Sequence, residues 1–402
     1  MKSIVYVHYQ ECERDGSYVH TRMFSREFGR LCGEAGIAFN VLEPSVVDGG
    51  GASRPSYLQR IKTSIARYFI SDIKALMVQW LQMRKERRQL LALNADVVLT
   101  RYDWNTLSII WAARSLNIPV VIELNSPDEE DRGLKFYRLP GMTHFFSTKR
   151  ALQLSDGAFA VSEALAKAFR PELEAADKPV HSIPNGVCLE QFTPKLGGPS
   201  VRFDLGIDDE KVVIGFVGSF APWHGLDLLF EAFARLLVEN ANVHLLLVGQ
   251  PRADSGAWLE RAAAADIAPS ITFAGHVPAT EVSQYLAAMD ITVLPNSAWY
   301  CSPLKVFEYM AMATAIVAVA TEPVREMLND RRDAALFEEG SVDELFGALK
   351  QLASDPVLRK SYGEAARVRV AGDYTWGENA RRVFELLQTV EKKKKALRRA
   401  SA

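Results

Sequence analysis

The stretch NSAWYCSPLKVFEYMAMATAIVAVA, residues 296–320, carries the helix–strand unit from which the fold prediction starts. Its last six residues, AIVAVA, form the short apolar run typical of a parallel strand that is buried on both faces. Upstream of this run, Ser302 is a good N-cap and Pro303 suits the first helical position, so a helix is predicted to begin here. Lys305 and Glu308 are three residues apart and therefore lie on one face near the helix N-terminus.

Lys305 and Glu308 have two interpretations on these residues alone. A helix N-terminus attracts anions through its free N–H groups, and Lys305 adds a full positive charge. Glu308, one turn further on, is an acceptor for sugar hydroxyls, so the two residues would suit a phosphorylated sugar or a nucleotide. The alternative is an ordinary surface ion pair at i, i+3 spacing.

Strand-like apolar runs alternate with helical segments along the chain. The runs are residues 2–8, 37–43, 96–100, 119–123, 157–161 and 180–184 in the first half, and 211–218, 242–249, 270–275, 290–295 and 315–320 in the second. Short strand–helix–strand connections imply right-handed parallel units. The sequence therefore predicts an α/β protein with two tandem Rossmann-like, doubly wound parallel sheets, whose ligands bind past the carboxyl ends of the strands.

The domain boundaries follow from chain length and composition. A chain of 402 residues is too long for a single core. Residues 193–205 contain two prolines and a Gly-Gly pair, and they are predicted to be the linker between domains at 1–192 and 206–375. Residues 376–402 are predicted to form a C-terminal helix that packs back toward the first domain, followed by a basic tail. That tail is either a solvated end or an electrostatic membrane contact.

An insertion at about residues 55–93 has a basic amphipathic pattern. Its apolar residues recur every three or four positions on one stripe, at Leu58, Ile61, Ile65, Phe69, Ile73, Leu76 and Trp80. Basic residues lie opposite the stripe and beyond it, at Arg60, Arg67, Lys74, Arg84, Lys85, Arg87 and Arg88. Two interpretations remain open: a helix on an anionic bilayer surface, or a helix packed on its own domain with a solvated basic face.

Composition argues against several classes of protein. The net charge of −2 gives no field that favours nucleic acid. The four cysteines (Cys12, Cys32, Cys188 and Cys301) have neither CxxC nor metal-like spacing, which fits a reducing cytosol. The N-terminal segment is predicted to be a strand rather than a signal peptide, and no apolar run is long enough to span a membrane. We therefore expect a cytoplasmic protein, with peripheral contact at the inner face of an anionic membrane as a further possibility.

Three loops at strand ends are predicted to meet in the second half. GSFAPWHG, residues 218–225, offers the backbone N–H groups of a turn and of a helix N-terminus to phosphate oxygens. VGQP, residues 248–251, is the second loop, and the start of the 296–320 stretch is the third. The glycine pattern is neither GxGxxG nor a P-loop. Because the sequence has no DxD motif, we expect no metal and no cofactor, so that protein groups neutralise any bound diphosphate.

The order of these motifs resembles a known family. PNGV (184–187) with Phe192 and Pro194, then GSFAPWHGLDLL, LLLVG and SPLKVFEYMA, is similar to the retaining glycosyltransferases of the GT-B fold, family 4. The resemblance spans nearly the whole chain, and SPLKVFEYMA combined with WHGLDLL is its most specific part. RYD (101–103) and VVIELNSP (120–127) look like acceptor-side segments of that family. The resemblance implies a nucleotide-sugar donor on the second domain and a glycan, lipid-linked or small-molecule acceptor on the first.

The resemblance also implies roles for individual residues on the donor side. Glu308 would accept hydrogen bonds from the ribose hydroxyls, and Lys305 would lie near the diphosphate or the sugar. Ser219 and His224 stand where many members carry an arginine and a lysine, and Tyr300 replaces a frequent acid, which leaves the sugar undefined. The full predicted donor-binding set is Gly218, Ser219, Phe220, His224, Gly225, Gly249, Gln250, Pro303, Leu304, Lys305 and Glu308.

The implied chemistry is transfer with retention, in which positioning and stabilisation of the departing charge replace a protein nucleophile. The predicted catalytic residues are Lys305, Glu308, His224 and Glu123, with His224 either cationic or a neutral donor. The predicted acceptor-side residues are Gly16, Arg101, Glu123 and Asn125. Capping or an ion pair within the domain is the alternative for the last three. His8 and His20 are expected to be structural, and the acidic run at 128–131 is expected to be a solvated loop.

Two rival functions remain open at this point. A GT-B sugar-nucleotide 2-epimerase would need no acceptor, and the PNGV and WHG strings argue against it. A non-catalytic sugar-nucleotide-binding protein would fit the loss of the arginine and lysine positions and the presence of Tyr300.

Overall fold

A computed structural model describes residues 1–9, 16–43, 65–103, 106–127, 147–174, 178–194, 198–251, 258–263 and 267–400. The chain divides into two compact units, Met1–Pro184 with Asn379–Ala402, and Asn185–Glu378. The acidic run at 128–131, Cys12 and the insertion residues before Ile65 lie outside the described residues. The predicted domain borders at 192 and 206 stay predictions.

The first unit is built on a six-stranded parallel sheet in the order β2-β1-β3-β4-β5-β6. Its strands are β1 Ser3–Val7, β2 Ala38–Leu42, β3 Val97–Arg101, β4 Val120–Leu124, β5 Gly157–Ala160 and β6 Val180–Ser182. The strands β1, β4 and β5 are buried along their whole length, which is why they are unbroken small and apolar runs with few polar residues. The strand order changes direction between β1 and β3, and the crevice past their carboxyl ends is therefore a topological switch point.

Among the described residues, five helices of the first unit come before the second unit in the sequence. They are α1 Gly16–Glu34, α2 Ile65–Ala92, α3 Leu107–Ser115, α4 Thr148–Leu154 and α5 Glu163–Glu174. Aromatic rings fix α1 on the sheet, because Phe24 lies edge-on to Tyr6 at 5.1 Å and stacks with Phe28 at 5.0 Å between ring centroids. This packing holds the first turns of α1 beside the carboxyl end of β1.

The second unit contains another six-stranded parallel sheet, in the order β12-β11-β10-β7-β8-β9. Its strands are β7 Val212–Val217, β8 Val243–Val248, β9 Ile271–Gly275, β10 Ile291–Leu294, β11 Ala315–Val319 and β12 Ala335–Phe337. The switch point lies between β7 and β10. The two predicted parallel sheets are therefore confirmed. Among the described strands, β12 is the one that the sequence pattern does not predict.

The helices of the second unit are α6 Gly198–Asp204, α7 Leu226–Glu239, α8 Trp258–Ala262, α9 Val282–Ala287, α10 Leu304–Ala311, α11 Glu322–Met327, α12 Val342–Ser354 and α13 Pro356–Asp373. Helix α6 occupies a segment that we predict to be a loop-like linker, so that part of the prediction is wrong. Tertiary contacts outweigh the weak local propensity: Arg202 on α6 donates to the Ala288 carbonyl at 2.9 Å and pairs with Asp290 at 2.8 Å.

The C-terminal helix, α14, spans Trp376–Ala400 and belongs to the first unit from Asn379 onward. The Phe384 ring lies 6.2 Å from the ring of Phe28 on α1, and Lys394 pairs with Asp156 at 2.6 Å. The predicted return of this helix to the first domain is confirmed. Hydrophobic contact near the middle of the helix and charge pairing near its end both hold it there.

Candidate active site

Two loops meet at the switch point of the second unit, one after β7 and one after β10. The first contains a short 3₁₀ turn, Pro222–His224, and leads through Gly225 into α7. Gly225 has φ +66°, and a Cβ there would lie 2.9 Å from the Cβ of Asn296 in the second loop. The Asn296 amide Nδ2 donates to the Trp223 carbonyl at 3.2 Å. Glycine is therefore needed both for the backbone conformation and for the close approach of the two loops.

The third predicted loop, after β8, packs against the first. Phe220 N donates to the Gln250 carbonyl at 3.3 Å, and Gly218 N donates to the Val248 carbonyl at 2.9 Å. A Cβ on Gly249 would lie 1.9 Å from the Gly218 carbonyl oxygen, so a side chain at 249 would push the loops apart. The structure thus brings the three predicted loops together at one edge of the sheet.

Phe220 does not present its side chain to this edge. Its ring is buried and contacts the rings of Trp258 at 5.9 Å and Phe273 at 6.2 Å between centroids. Only the backbone of Phe220 is placed to contact a ligand. Its neighbour Ser219 and the more distant Gln250 are exposed.

The start of α10 differs from the prediction, because Pro303 is the N-cap and Leu304 the first helical residue. Ser302, the predicted cap, instead accepts from Asn185 N through its Oγ at 3.1 Å, and its carbonyl accepts from Asn185 Nδ2 at 2.7 Å. The PNGV turn therefore fixes the entry to α10 from outside the helix. Lys305 remains in the first turn of α10, where the free N–H groups of a helix N-terminus attract anions.

The Lys305 ammonium lies over the face of the Phe216 ring, with Nζ 4.6 Å from the ring centroid. A Cβ on Gly218 would lie 3.0 Å from this Nζ, so the lysine reaches the end of β7. Burial lowers the pKa of Lys305 to about 8, against the opposing charges of Glu308 and Cys301. Within the described part of the chain no carboxylate lies within 4 Å of Nζ, so the surface ion-pair interpretation is wrong.

Glu308 lies one turn along α10 from Lys305 and is partly buried. Burial raises the pKa of its carboxyl group to about 7, and the positive charge of Lys305 opposes that rise. Its carboxylate makes no hydrogen bond to any residue that the structure describes. A carboxylate of this kind gains most from donors that a ligand brings, because burial has already removed much of its water.

His224 is held by the backbone of its own loop. Its Nδ1 lies 2.6 Å from the Ser219 carbonyl oxygen, and its ring centroid lies 5.5 Å from that of Phe216. Burial and the nearby Lys305 lower the pKa of His224 to about 3, although the Ser219 carbonyl opposes this. His224 is therefore a neutral imidazole in the unliganded protein, and not the fixed cation that a lysine would be.

Aromatic side chains surround this edge of the second unit. Trp223 and Trp299 are about half exposed, and the Trp299 ring meets the Tyr300 ring edge-on at 5.5 Å. Sequence reasoning missed Phe216, Asn296 and the Asn185–Ser302 contact. The PNGV string signalled Asn185, but only the fold shows that it reaches Ser302, 117 residues away.

In the first unit the predicted acceptor-side residues form a buried charge cluster. Arg101 ends β3 and lies opposite Glu123 of β4 in the sheet register, with Nη1 3.4 Å from Glu123 Oε1. His20 on α1 places Nε2 2.8 Å from the same oxygen. Burial alone would raise the pKa of Glu123, but His20, Arg101 and a hydrogen bond from Asn125 lower it to about 2.

This cluster corrects two details of the prediction. Glu123 lies inside β4 and is buried, whereas the sequence places it just past the strand end. The predicted alternative of an ion pair within the domain is what the structure contains. His20, predicted to be structural, lies closer to Glu123 than Arg101 does, at 2.8 Å against 3.4 Å. Asn125 follows β4 directly, and Gly16 is the first residue of α1.

The described residues form neither a metal-ligand cluster nor a membrane-spanning helix. No group of three or more potential metal ligands occurs among them. None of their helices has the length and the apolar composition needed to cross a bilayer.

Two family models match the chain, one in each half. Residues 16–191 match the model described as Glycosyltransferase Family 4, and residues 211–355 match the model described as Glycosyl transferases group 1. The first match contains strands β2 to β6 but not β1, and the second contains all six strands of the second sheet, β7 to β12.

Two relatives found by sequence are 27% and 30% identical to this chain, and only part of their own length is matched. A GDP-mannose-dependent monoacylated alpha-(1-6)-phosphatidylinositol monomannoside mannosyltransferase of Corynebacterium glutamicum is 27% identical over 214 residues, 52% of this chain and 55% of that protein. A D-inositol 3-phosphate glycosyltransferase of Stackebrandtia nassauensis is 30% identical over 265 residues, 62% of this chain and 56% of that protein. The chain thus spans little more than half the length of these relatives.

The solved structures extend the likeness to nearly the whole chain. HepE from Anabaena in complex with UDP has a TM-score of 0.70 at 15% identity, covering 97% of this chain and 100% of that chain. Because the sequences are only 15% identical, this comparison shows the fold alone. It confirms the predicted pair of Rossmann-like domains.

Proposed function

This chain resembles, in both of its units, the GT-B glycosyltransferases of family 4 and group 1, and from that premise we propose that it transfers a sugar from a nucleotide-diphosphate sugar to an acceptor. The proposed reaction retains the anomeric configuration and uses no metal and no cofactor. We propose that the donor binds the second unit and that the acceptor, a glycan, a lipid-linked sugar or a small polyol, binds the first.

The observation that carries the proposal is the placement of Lys305 and Glu308 in the first turns of α10. They lie at the switch point of the second sheet, where nucleotides bind in such folds. Glu308 offers a carboxylate without a hydrogen-bonding partner among the described residues, which suits the two vicinal hydroxyls of a ribose. Lys305 offers a positive charge beside the Gly218 turn, which suits the diphosphate.

The proposed chemistry follows from the leaving group. The bond from the anomeric carbon to the diphosphate oxygen breaks, and the acceptor oxygen bonds to that carbon on the same face. The acceptor proton passes to the departing diphosphate. Lys305, the backbone N–H groups of the 218–225 loop and the α10 N-terminus stabilise the negative charge that develops there.

His224 and Glu123 have narrower proposed roles. His224 presents Nε2 as an acceptor, because Nδ1 donates to the Ser219 carbonyl, so its proposed role is to accept from a hydroxyl of the donor sugar and not to hold the diphosphate. Glu123 is held by Arg101 and His20, so we propose that it orients these two side chains and Asn125 toward the acceptor or the transferred sugar. A cytoplasmic location is proposed as well, and it is supported by the free thiols of Cys32, Cys188 and Cys301.

The first experiment is a thermal-shift screen of nucleotides and nucleotide sugars. A ligand at a hundred times its Kd is expected to add about 2.7 kcal/mol to the free energy of unfolding. Glu308→Gln should weaken the binding of the best nucleotide sugar by about a hundredfold, since two charge-assisted hydrogen bonds are lost. Glu339→Gln, at an exposed position on the same unit, is the matched control and should bind like the wild type.

The second experiment follows turnover with the ligand from that screen. NMR of the product gives the anomeric configuration, and chelator treatment tests the proposed independence from metal. If the Glu308→Gln variant binds the nucleotide sugar with wild-type affinity, the proposed position of the donor site is wrong. Conversion of the nucleotide sugar into an epimer without transfer would identify an epimerase. Tight binding without turnover over a wide acceptor panel would identify a binding protein. A binding protein is the second candidate because His224 is neutral and Tyr300 replaces an acid.

A further inference from the structure

Helix α2 exposes an apolar face to solvent. Ile73, Met77, Trp80 and Leu81 have between 43% and 59% of their surface exposed. At about 100° per residue these four side chains occupy an arc of roughly 100° on one side of the helix. Ile73 and Trp80 belong to the stripe predicted from the sequence, and these two members of it face solvent and not the core of the first unit. We call the exposed set, Ile73, Met77, Trp80 and Leu81, the outer face of α2.

The inner face of α2 is polar and hydrogen-bonded, which fixes the orientation of the helix. Gln79 accepts from Ser108 N at 3.0 Å, and Glu86 accepts from the Tyr9 hydroxyl at 2.8 Å. Gln79 and Glu86 are both buried. Rotating α2 to bury Trp80 would break these two hydrogen bonds. The buried Ser108 N–H and Tyr9 hydroxyl would then lack these acceptors, and an unpaired buried polar group costs free energy. The hydrogen bonds of Gln79 and Glu86 therefore keep the apolar side chains of the outer face turned toward solvent.

Cations surround the outer face. Lys74, Arg84, Lys85, Arg87 and Arg88 are all exposed. The Arg84 guanidinium lies 3.5 Å above the Trp80 ring, so an aromatic surface and a charge share one position. Among the α2 side chains that the structure describes, the only carboxylate is that of Glu86, which is buried on the opposite side.

A cavity lies between α2 and a second helix of the first unit, and its lining carries both signs of charge, since Asp96 and Glu391 belong to it as well as basic residues. The carboxyl ends of α2 and α14 line one cavity of about 250 Å³, with Leu91 on α2 and Lys395 and Arg398 on α14. Leu91 is also half exposed. The exposed apolar side chains and the cations of α2 therefore extend from Ile73 to Leu91, near the carboxyl end of the helix.

We propose that the outer face of α2 docks on an anionic lipid bilayer. The apolar side chains enter the boundary between headgroups and acyl chains, and the five cations contact lipid phosphates. An apolar arc beside five cations, with no exposed carboxylate among the described side chains of α2, matches a bilayer surface, which is anionic at its headgroups and apolar beneath them. A second copy of this chain is a poor partner, because a two-fold contact would place the five cations against five more. The proposal is independent of the sugar-transfer activity.

The test is flotation of the full-length protein with vesicles, without any nucleotide sugar. Wild-type protein should float with phosphatidylglycerol vesicles and not with phosphatidylcholine vesicles. Met77→Gln with Leu81→Gln should weaken binding by about tenfold, because two inserted side chains are lost. The matched control is Phe203→Gln with Val238→Gln, two exposed apolar residues of the second unit, and it should bind like the wild type.

Charge is tested separately from apolar insertion. Arg84→Gln and Arg88→Gln should each weaken binding to phosphatidylglycerol vesicles by about fivefold, whereas Lys360→Gln on the second unit should not. Light scattering of the lipid-free proteins measures self-association. Vesicle binding unchanged in both sets of α2 variants overturns the proposal. So does a wild-type dimer that Met77→Gln with Leu81→Gln converts to a monomer, since the face would then be a protein interface.

Discussion

The imidazole Nδ1 of His224 lies 2.6 Å from the carbonyl oxygen of Ser219. A carbonyl can only accept, so Nδ1 carries the proton and Nε2 keeps its lone pair. We predict that His224 stays neutral in this tautomer when the pH is lowered toward 5, because its pKa is lowered to about 3. Nitrogen NMR on labelled histidine measures both properties, with His224→Gln assigning the signal. A midpoint near the ordinary value of 6.5 would contradict the buried position.

The same residue makes stability depend on pH. The folded-state pKa lies below the ordinary value of 6.5, so the unfolded chain binds the proton more readily between about 6.5 and about 3. The free energy of unfolding should therefore fall as the pH falls through this window and should be insensitive to His224 above it. His224→Gln should be less sensitive than the wild type in urea titrations across the window. An equal slope in both proteins would mean that His224 titrates normally.

Donor affinity should have a narrow optimum between about pH 7 and about pH 8. Glu308 accepts from ribose hydroxyls as a carboxylate, and its pKa is raised to about 7, so affinity rises as the pH rises through that value. Lys305 attracts the diphosphate as an ammonium, and its pKa is lowered to about 8, so affinity falls above that value. Calorimetry with a nucleotide sugar measures this profile. Glu308→Gln should lose the acid limb only, and a flat wild-type profile would refute both assignments.

Arg101→Ala should destabilise the first unit by about 3 kcal/mol. The substitution leaves the buried carboxylate of Glu123 with one charged partner fewer, and an under-compensated buried charge is costly. The depressed pKa of Glu123 contributes stability above its ordinary value of 4.5 that is lost as the pH falls toward about 2. Urea unfolding at several pH values tests both statements. Arg30→Ala, which breaks exposed pairs with Glu27 and Glu34, is the control and should cost less than about 1 kcal/mol.

Gly249→Ala should disrupt the donor site through the backbone. The new Cβ would lie 1.9 Å from the Gly218 carbonyl oxygen at a φ of +147°, so the 218–225 loop has to move. We expect a loss of about 3 kcal/mol in stability together with weaker nucleotide binding. Gly275→Ala is the matched control, since φ is +73° there but no atom lies within 4 Å of the added Cβ. The Gly275→Ala variant should lose stability in urea unfolding because its backbone is strained. Its nucleotide affinity, measured by calorimetry, should equal that of the wild type.

Periodicity in the sequence was sufficient for the two parallel sheets, because buried parallel strands need apolar runs on both faces and such runs are visible locally. It also located the loops after β7, β8 and β10, since ligands bind past strand ends whatever the details of the side chains. The three-residue β12 and the helix α6 were not predictable in this way. Their stability comes from contacts with distant parts of the chain, such as Arg202 with Asp290.

The sequence by itself determined which residue types stand at the site: Lys305, Glu308 and His224 follow from the motifs. Only the tertiary structure decided their protonation and their partners, because a pKa depends on burial and on neighbours that come from other strands. It placed Lys305 over Phe216, bound His224 to a backbone carbonyl, and buried Glu123 between Arg101 and His20. The outer face of α2 follows the same rule, since the helical period showed a stripe and only the buried Gln79 and Glu86 showed which side faces solvent.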